Sequence, residues 1–194
     1  MYDEYHINAQ TKKGWIEVIT GSMFSGKTEE LIRRLKRAKL ANQEVKIFKH
    51  ALDKRFSKDE LVSHDDNSIS SLSVSSAKEI LAHAAGIEVV GIDEGQFFAE
   101  DLIEICTFMA NSGIRIIVAG LDMDYQGKPF GSIPALMAVA DYVTKLHAVC
   151  VKCGSAALYS HRKIDIGDLV LLGAKKEYEP LCRSCYHRAL VQND

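Results

Sequence analysis

The chain carries Gly21-Ser22-Met23-Phe24-Ser25-Gly26-Lys27-Thr28, which reads G-x-x-x-x-G-K-T, the P-loop pattern. Such a loop needs a strand before it and a helix after it. Upstream, Trp15 to Thr20 alternates with β-branched residues and predicts a strand. Downstream, Leu31, Ile32, Leu35 and Ala38 recur at helical spacing, with Glu29 and Glu30 in the first turn. The glycines let the backbone curl its N–H groups around phosphate, and the helix start adds unpaired donors. Lys27 is placed for the β/γ-phosphates, and the Thr28 hydroxyl for magnesium.

Further strands are expected at Val45–Lys49, Ser70–Ser75, Val89–Ile92, Arg115–Gly120 and Tyr142–Val149. Helices are expected between them: Ser76 to Ala84, opened by a capping box and closed at Gly86; Leu102 to Met109, stopped at Gly113; and Ile133 to Ala140. Alternating strands and helices specify an α/β fold, a parallel sheet flanked by helices. Ligands in such sheets sit at the carboxyl ends of the strands. The P-loop, Asp93-Glu94 and Leu121-Asp122 all follow strand ends and should meet there.

At 194 residues and 47% hydrophobic, the chain suits one domain with a small appendage. The division expected is a flexible tail over 1–13, an α/β domain over 14–147 and a cysteine-rich unit over 148–194. The net charge of -2 disfavours nucleic acid as the main partner, and the basic cluster Arg33 to Lys39 reads as the solvated face of the first helix. No apolar run reaches membrane-spanning length, and the start of the chain has no signal-peptide core. A cytoplasmic protein is expected.

Cys150-x-x-Cys153 and Cys182-x-x-Cys185 offer four thiolates for a structural, tetrahedral zinc. His187 competes with Cys185 as the fourth ligand, and Cys185 is preferred because it preserves the C-x-x-C turn. Cys106 falls on the core face of its helix and reads as an inert buried thiol. A zinc pinning both ends of the insert leaves its middle, Lys163 to Lys176, as a tethered loop. Its apolar residues Ile164, Ile166, Leu169, Val170, Leu171 and Leu172 should pack on something, such as a ligand; the plainer alternative is a zinc ribbon with a β-hairpin.

Asp93 is placed as the carboxylate that holds magnesium. Glu94 then stands beside the γ-phosphate. It can deprotonate water, giving an ATPase, or a substrate hydroxyl, giving a kinase; spacing alone does not separate these. The polar stretch from Asp53 to Ser68 is longer than an ordinary connection, hence functional or mobile. Within it, Asp53-Lys54-Arg55 can face phosphate or simply be exposed, and His64-Asp65-Asp66 is a second polar knot.

The P-loop with its following Glu29-Glu30-Leu31, the string Gly91-Ile92-Asp93-Glu94-Gly95-Gln96-Phe97-Phe98, then Gly120-Leu121-Asp122, Lys128-Pro129-Phe130-Gly131 and the paired C-x-x-C knuckles together resemble the type II thymidine kinases. The resemblance runs from about Trp15 to Tyr186. It implies a P-loop NTPase-type sheet followed by a zinc-ribbon unit with a lasso loop. It implies transfer of the ATP γ-phosphate to the 5′-hydroxyl of thymidine, with Mg2+ and structural zinc. Glu94 matches the family's general base. Gly21 to Thr28, Asp53, Arg55, Asp93 and Gln96 match the nucleotide and magnesium side. Met23, Phe97, Leu121, Tyr125, Phe130, the lasso Leu169-Val170-Leu171-Leu172-Gly173 and Tyr178 match the thymidine side. Core packing is the competing reading for Phe97 and Phe130 and the preferred one for Phe98. Tyr125 departs from the phenylalanine common at that position, and its hydroxyl needs a partner. Family members are commonly homotetramers inhibited by dTTP. The rival function is an ATP-switched nucleic-acid-binding module that uses the zinc unit for contact.

Overall fold

The computed structural model describes residues 13–52, 60–62, 68–163 and 177–191. The expected tail, Asp53, Arg55, the His64 knot and the lasso residues 169–173 lie outside the described residues.

Strand β1 (Trp15–Gly21) leads through the P-loop into helix α1 (Lys27–Leu40), followed by β2 (Val45–His50). A small antiparallel pair, β3 (Glu60–Val62) and β4 (Ser68–Ser70), precedes β5 (Leu72–Val74) and α2 (Ala77–Ala82). Then come β6 (Val89–Asp93), a short 3-10 turn (Gly95–Phe97), α3 (Asp101–Asn111), β7 (Arg115–Gly120), α4 (Ile133–Val139) and β8 (Tyr142–Leu146). The six-stranded sheet has the order β5-β2-β6-β7-β1-β8, and every pairing in it is parallel. The crossovers bring the ends of β1, β6 and β7 side by side, where the P-loop, Asp93 and Leu121 begin.

Period-two alternation splits the core across the sheet. Ile16, Val18, Ile116 and Val118 face the side covered by α2, α3 and α4. Ile19, Ile117 and Ala119 face α1, where Leu31, Ile32, Leu35 and Ala38 cover them. Cys106 is fully buried on α3, and burial pushes its thiol up to about 12.

The structure departs from expectation at several elements. The strand expected over 142–149 is two: β8 ends at Leu146, and β9 (Ala148–Val149) pairs antiparallel with β10 (Ala156–Ala157). The direction changes because β9 leaves the parallel sheet for the cysteine-rich unit. The strand expected over 70–75 is confined to β5, and α2 ends before Gly86. In its capping region Glu79 accepts from the Ser75 N–H and the Ser76 hydroxyl, both at 3.2 Å, so the reciprocal box is incomplete. Arg34 does not belong to a solvated face. It is buried, with a salt bridge to Glu17 of β1.

The cysteine-rich part continues with β11 (Tyr159–Arg162), antiparallel to β12 (Tyr178–Leu181), and helix α5 (Arg183–Val191). Sequence reading missed α5, although Cys185, Tyr186 and Ala189 mark its inner face. Ala148, Cys150, Ala157, Tyr159, Leu181, Cys185 and Tyr186 form a separate small core, and Phe24 and Met123 pack against it.

Candidate active site

The P-loop closes between β1 and α1 with Phe24 and Gly26 both at positive φ, 64° and 85°. Left-handed residues in such a loop gather successive N–H groups into an anion-binding concavity. Lys27 reaches across the loop and donates from Nζ to the Ser22 carbonyl at 2.8 Å. The Ser25 hydroxyl oxygen is buried without a hydrogen-bond partner among the described residues. A buried hydroxyl left unpaired is costly, and a phosphate oxygen would satisfy it.

Parallel pairing of β6 with β7, and of β7 with β1, brings Asp93 opposite the loop. Thr28 donates from Oγ1 to Asp93 Oδ2 at 3.1 Å. Burial, and secondarily the Glu94 carboxylate, raise Asp93 to about 7; the Glu94 N–H, the Thr28 hydroxyl and Lys27 oppose the rise. A divalent cation shared by Thr28 and Asp93 would offset that penalty, so this donor pair fits magnesium.

Glu94 follows at φ 54°, a left-handed conformation that costs a non-glycine residue roughly 1–3 kcal/mol. The backbone turns there, and the side chain is half-buried. Gln96 donates from Nε2 to Glu94 Oε2 at 2.5 Å, and its Oε1 accepts from the Leu121 N–H at 2.9 Å. Phe97 and Phe130 are half-buried and meet edge to face, with ring centroids 6.3 Å apart. Phe98 is buried in the core against His50, as preferred from the sequence.

The segment after β7 is tightly built. Asp124 Oδ1 accepts from the N–H groups of Gln126 and Lys128 at 2.8 and 2.9 Å. Lys145 and Asp122 form an ion pair at 2.5 Å. Gly131 sits at φ 56°, and a Cβ there would lie 2.2 Å from the Gln96 carbonyl oxygen. The Tyr125 hydroxyl has a partner, accepting from Gln126 Nε2 at 2.9 Å. Arg162 lies 3.6 Å above the Tyr125 ring, and Tyr186 donates to the Tyr125 carbonyl at 2.8 Å. Leu121, Met23 and Tyr125 are each half-buried.

The second unit meets the P-loop directly. The Met23 N–H donates to Ser160 Oγ at 3.0 Å, and Ser22 Oγ donates to the Ala157 carbonyl at 3.3 Å. Tyr178 is buried on β12 opposite Arg162. Asp124, Lys145, Ser160, Arg162 and Tyr186 carry no motif signal. Asp124 acts within its own turn, and the other four are revealed only by partners distant in sequence.

The Sγ atoms of Cys150, Cys153, Cys182 and Cys185 lie within 4.8 Å of one another, and none is in a disulfide. Tetrahedral Zn–S bonds of about 2.3 Å place sulfurs about 3.8 Å apart, close to the 3.6 Å between Cys153 and Cys182. His187 is exposed and outside the cluster. Hydrogen bonds from the Ser155 side chain and backbone bring the Cys153 thiol down to about 6, while burial and the neighbouring thiols push Cys185 up to about 12. Thiols packed this closely compete for protons, and a zinc ion that takes all four as thiolates removes the competition.

The thymidine kinase family profile matches residues 14–186. A thymidine kinase of Bacteroides fragilis (strain YCH46) is 57% identical over 193 residues, covering 100% of this chain and 97% of that protein. One of Porphyromonas gingivalis (strain ATCC 33277) is 53% identical over 177 residues, covering 91% and 87%. One of Rhodothermus sp. (strain ITI 518) is 56% identical over 173 residues, covering 89% and 81%. Identity at this level over nearly the whole length includes both the P-loop sheet and the four-thiol unit, so the chain belongs to the thymidine kinase family.

Proposed function

We propose that the protein is a thymidine kinase that transfers the γ-phosphoryl group of ATP to the 5′-hydroxyl of thymidine, yielding dTMP and ADP for DNA precursor synthesis. The observation that supports this reading is that Glu94 follows directly on Asp93, which accepts from Thr28, and accepts from Gln96 in the turn that carries Phe97 to its edge-to-face contact with Phe130. A base there lies between donor phosphates and an aromatic-walled acceptor pocket.

The P-loop N–H groups, Lys27 and the Ser25 hydroxyl bind the triphosphate. Thr28 and Asp93 would hold magnesium, which when bound neutralises charge on the β/γ-phosphates. Glu94 takes the proton from the 5′-hydroxyl as its oxygen attacks the γ-phosphorus and the bond to the β-phosphate oxygen breaks. Met23, Leu121, Phe97, Tyr125 and Phe130 shape the nucleoside pocket. Tyr178 and the lasso residues 169–173 cover it, and Asp53 and Arg55 complete the phosphate side. Water is kept out by that cover, which favours kinase over ATPase chemistry.

The four-thiol unit, residues 148–194, acts as a zinc-pinned domain beside the P-loop domain, residues 14–147. The enzyme assembles as a homotetramer, is inhibited by dTTP and works in the cytoplasm. The open edge of β8, with Tyr142 and Val143 exposed, supports association between copies. No helix among the described residues is long and apolar enough to cross a membrane. The family assignment does not favour the nucleic-acid-binding alternative.

The deciding experiment measures ATP consumption with and without a panel of deoxynucleosides. Thymidine-dependent turnover, reduced by about 100-fold or more in Glu94→Gln with nucleotide binding retained, is the expected result. Equal consumption without any nucleoside would sink the kinase reading.

A further inference from the structure

Gln96 is nearly fully buried, 4% exposed, and both ends of its amide are engaged. The family resemblance matches it to the nucleotide side; its observed partners are Glu94 and the backbone of Leu121. The orientation of the amide follows from chemistry. A backbone N–H can only donate, so the group facing Leu121 must be the oxygen. That leaves the NH2 group facing Glu94, where it donates to the carboxylate.

The surroundings hold this bridge in place. A Cβ on Gly120 would lie 2.9 Å from Gln96 Oε1, so the amide passes where only glycine leaves room. The Ser132 hydroxyl donates to the carbonyl of Gly95, next to Gln96, at 3.1 Å. Gly131 lies against the Gln96 carbonyl. Thus the turn carrying Gln96 is clamped by the far end of the 121–131 segment, while its side chain holds the near end. The strained φ at Glu94 gives that residue a direction, and the amide selects where its carboxylate rests.

We infer that Gln96 is a positioning residue: its amide ties the Glu94 carboxylate to the Leu121 peptide, so that the base and the acceptor segment share one geometry. This rests on the kinase reading above, in which Glu94 is the base. Loosening a reacting group by about 1 Å can cost roughly 100-fold in rate, because a near-attack geometry is lost.

The test is a double-mutant cycle between Gln96→Met and Glu94→Gln, with thymidine and ATP varied separately. Methionine retains most of the side-chain volume and removes both hydrogen bonds. Gln96→Met should lower kcat by about 10- to 100-fold, with KM for ATP changed less than about 2-fold. In the Glu94→Gln background the same substitution should cost less than about 2-fold, since a residue acting through Glu94 has nothing left to position. Gln96→Asn, one methylene shorter, cannot span both partners and should lose a comparable factor; it serves if Gln96→Met is unfolded by thermal melting. Costs that multiply in the double variant would overturn the inference, as would a rise in KM for ATP at unchanged kcat. Wild-type protein that phosphorylates no thymidine would instead overturn the parent reading, and the inference with it.

Discussion

Arg34 of α1 donates from Nη1 to Glu17 of β1 at 2.6 Å, and both side chains are buried between helix and sheet. Arg115 of β7 donates to the other Glu17 oxygen at 2.6 Å, and Trp15 Nε1 donates to the same oxygen at 2.7 Å. Arg34 also reaches Glu30 and Thr144. One carboxylate therefore joins the P-loop helix to neighbouring strands. Removing it leaves two guanidinium groups facing each other in the interior.

Glu17→Gln should destabilise the protein by about 3–5 kcal/mol at neutral pH, the scale for breaking a buried pair from one side. Burial pushes the Glu17 pKa up, but Arg115, Trp15 and Arg34 outweigh it and hold the carboxyl below its ordinary value of 4.5. A group depressed on folding binds fewer protons in the native state. Its stabilisation is complete above about 4.5 and is lost as pH falls through the folded value. Urea unfolding of wild type and variant, at neutral and acid pH, checks this. The gap between them should shrink in acid; a constant gap would contradict it.

Asp93 has the opposite sign. Raised on folding from 3.8 to about 7, it binds more protons in the native state between those values. Its contribution to stability therefore falls as pH rises across that window and is flat above it. In chelator-treated protein, Asp93→Asn should flatten the decline in melting temperature between about pH 5 and about pH 8. Magnesium with ATP should raise the wild-type melting temperature more at the higher pH, where Asp93 is ionised more readily. The same variant should lose about 100-fold in turnover. An unchanged pH slope would show that burial does not hold the Asp93 proton.

A strong chelator should release zinc and loosen the small core around Tyr159 and Tyr186, with the parallel sheet still folded. The two cores share no buried residue. Hydrogen exchange should quicken over 148–191 and at Met23, whose N–H is bonded to Ser160. If the proposed lasso is anchored by the four-thiol unit, the KM for thymidine should rise by about 10-fold or more. Intact thymidine affinity in metal-free protein would remove zinc from the account of the site.

The sheet was legible because β6 and β7 are near-continuous apolar runs ending in Asp93 and Gly120, β1 alternates with β-branched residues, and the P-loop pattern orders it. The thiol cluster was legible for a similar reason: two short spacings determine it, and Cys185 rather than His187 lies in it. Arg34 was misread because a basic residue on a basic helix looks solvated until its partner is known, and Glu17 is on another element. Helix α5 was hidden by the cysteine knuckle that opens it. Ser160, Arg162 and Tyr186 were invisible for the same reason as Arg34. Each acts on a residue far away in the chain, and no local spacing encodes that.

Tyr186 is the most direct of those long connections. Its ring stacks on Tyr159 with centroids 4.3 Å apart, while its hydroxyl holds the Tyr125 carbonyl. Tyr186→Phe keeps the stack and removes only the hydrogen bond, so stability should fall by about 1 kcal/mol. The Tyr125 segment then loses that hydrogen bond to the four-thiol unit, and the ring that Arg162 covers is less firmly placed. The KM for thymidine should rise severalfold, with KM for ATP unchanged, because the phosphate loop keeps its own bonds to Ser160 and Ala157. Steady-state kinetics with each substrate varied in turn will separate the two. A rise shared equally by both substrates would mean that Tyr186 supports the whole unit rather than the acceptor side.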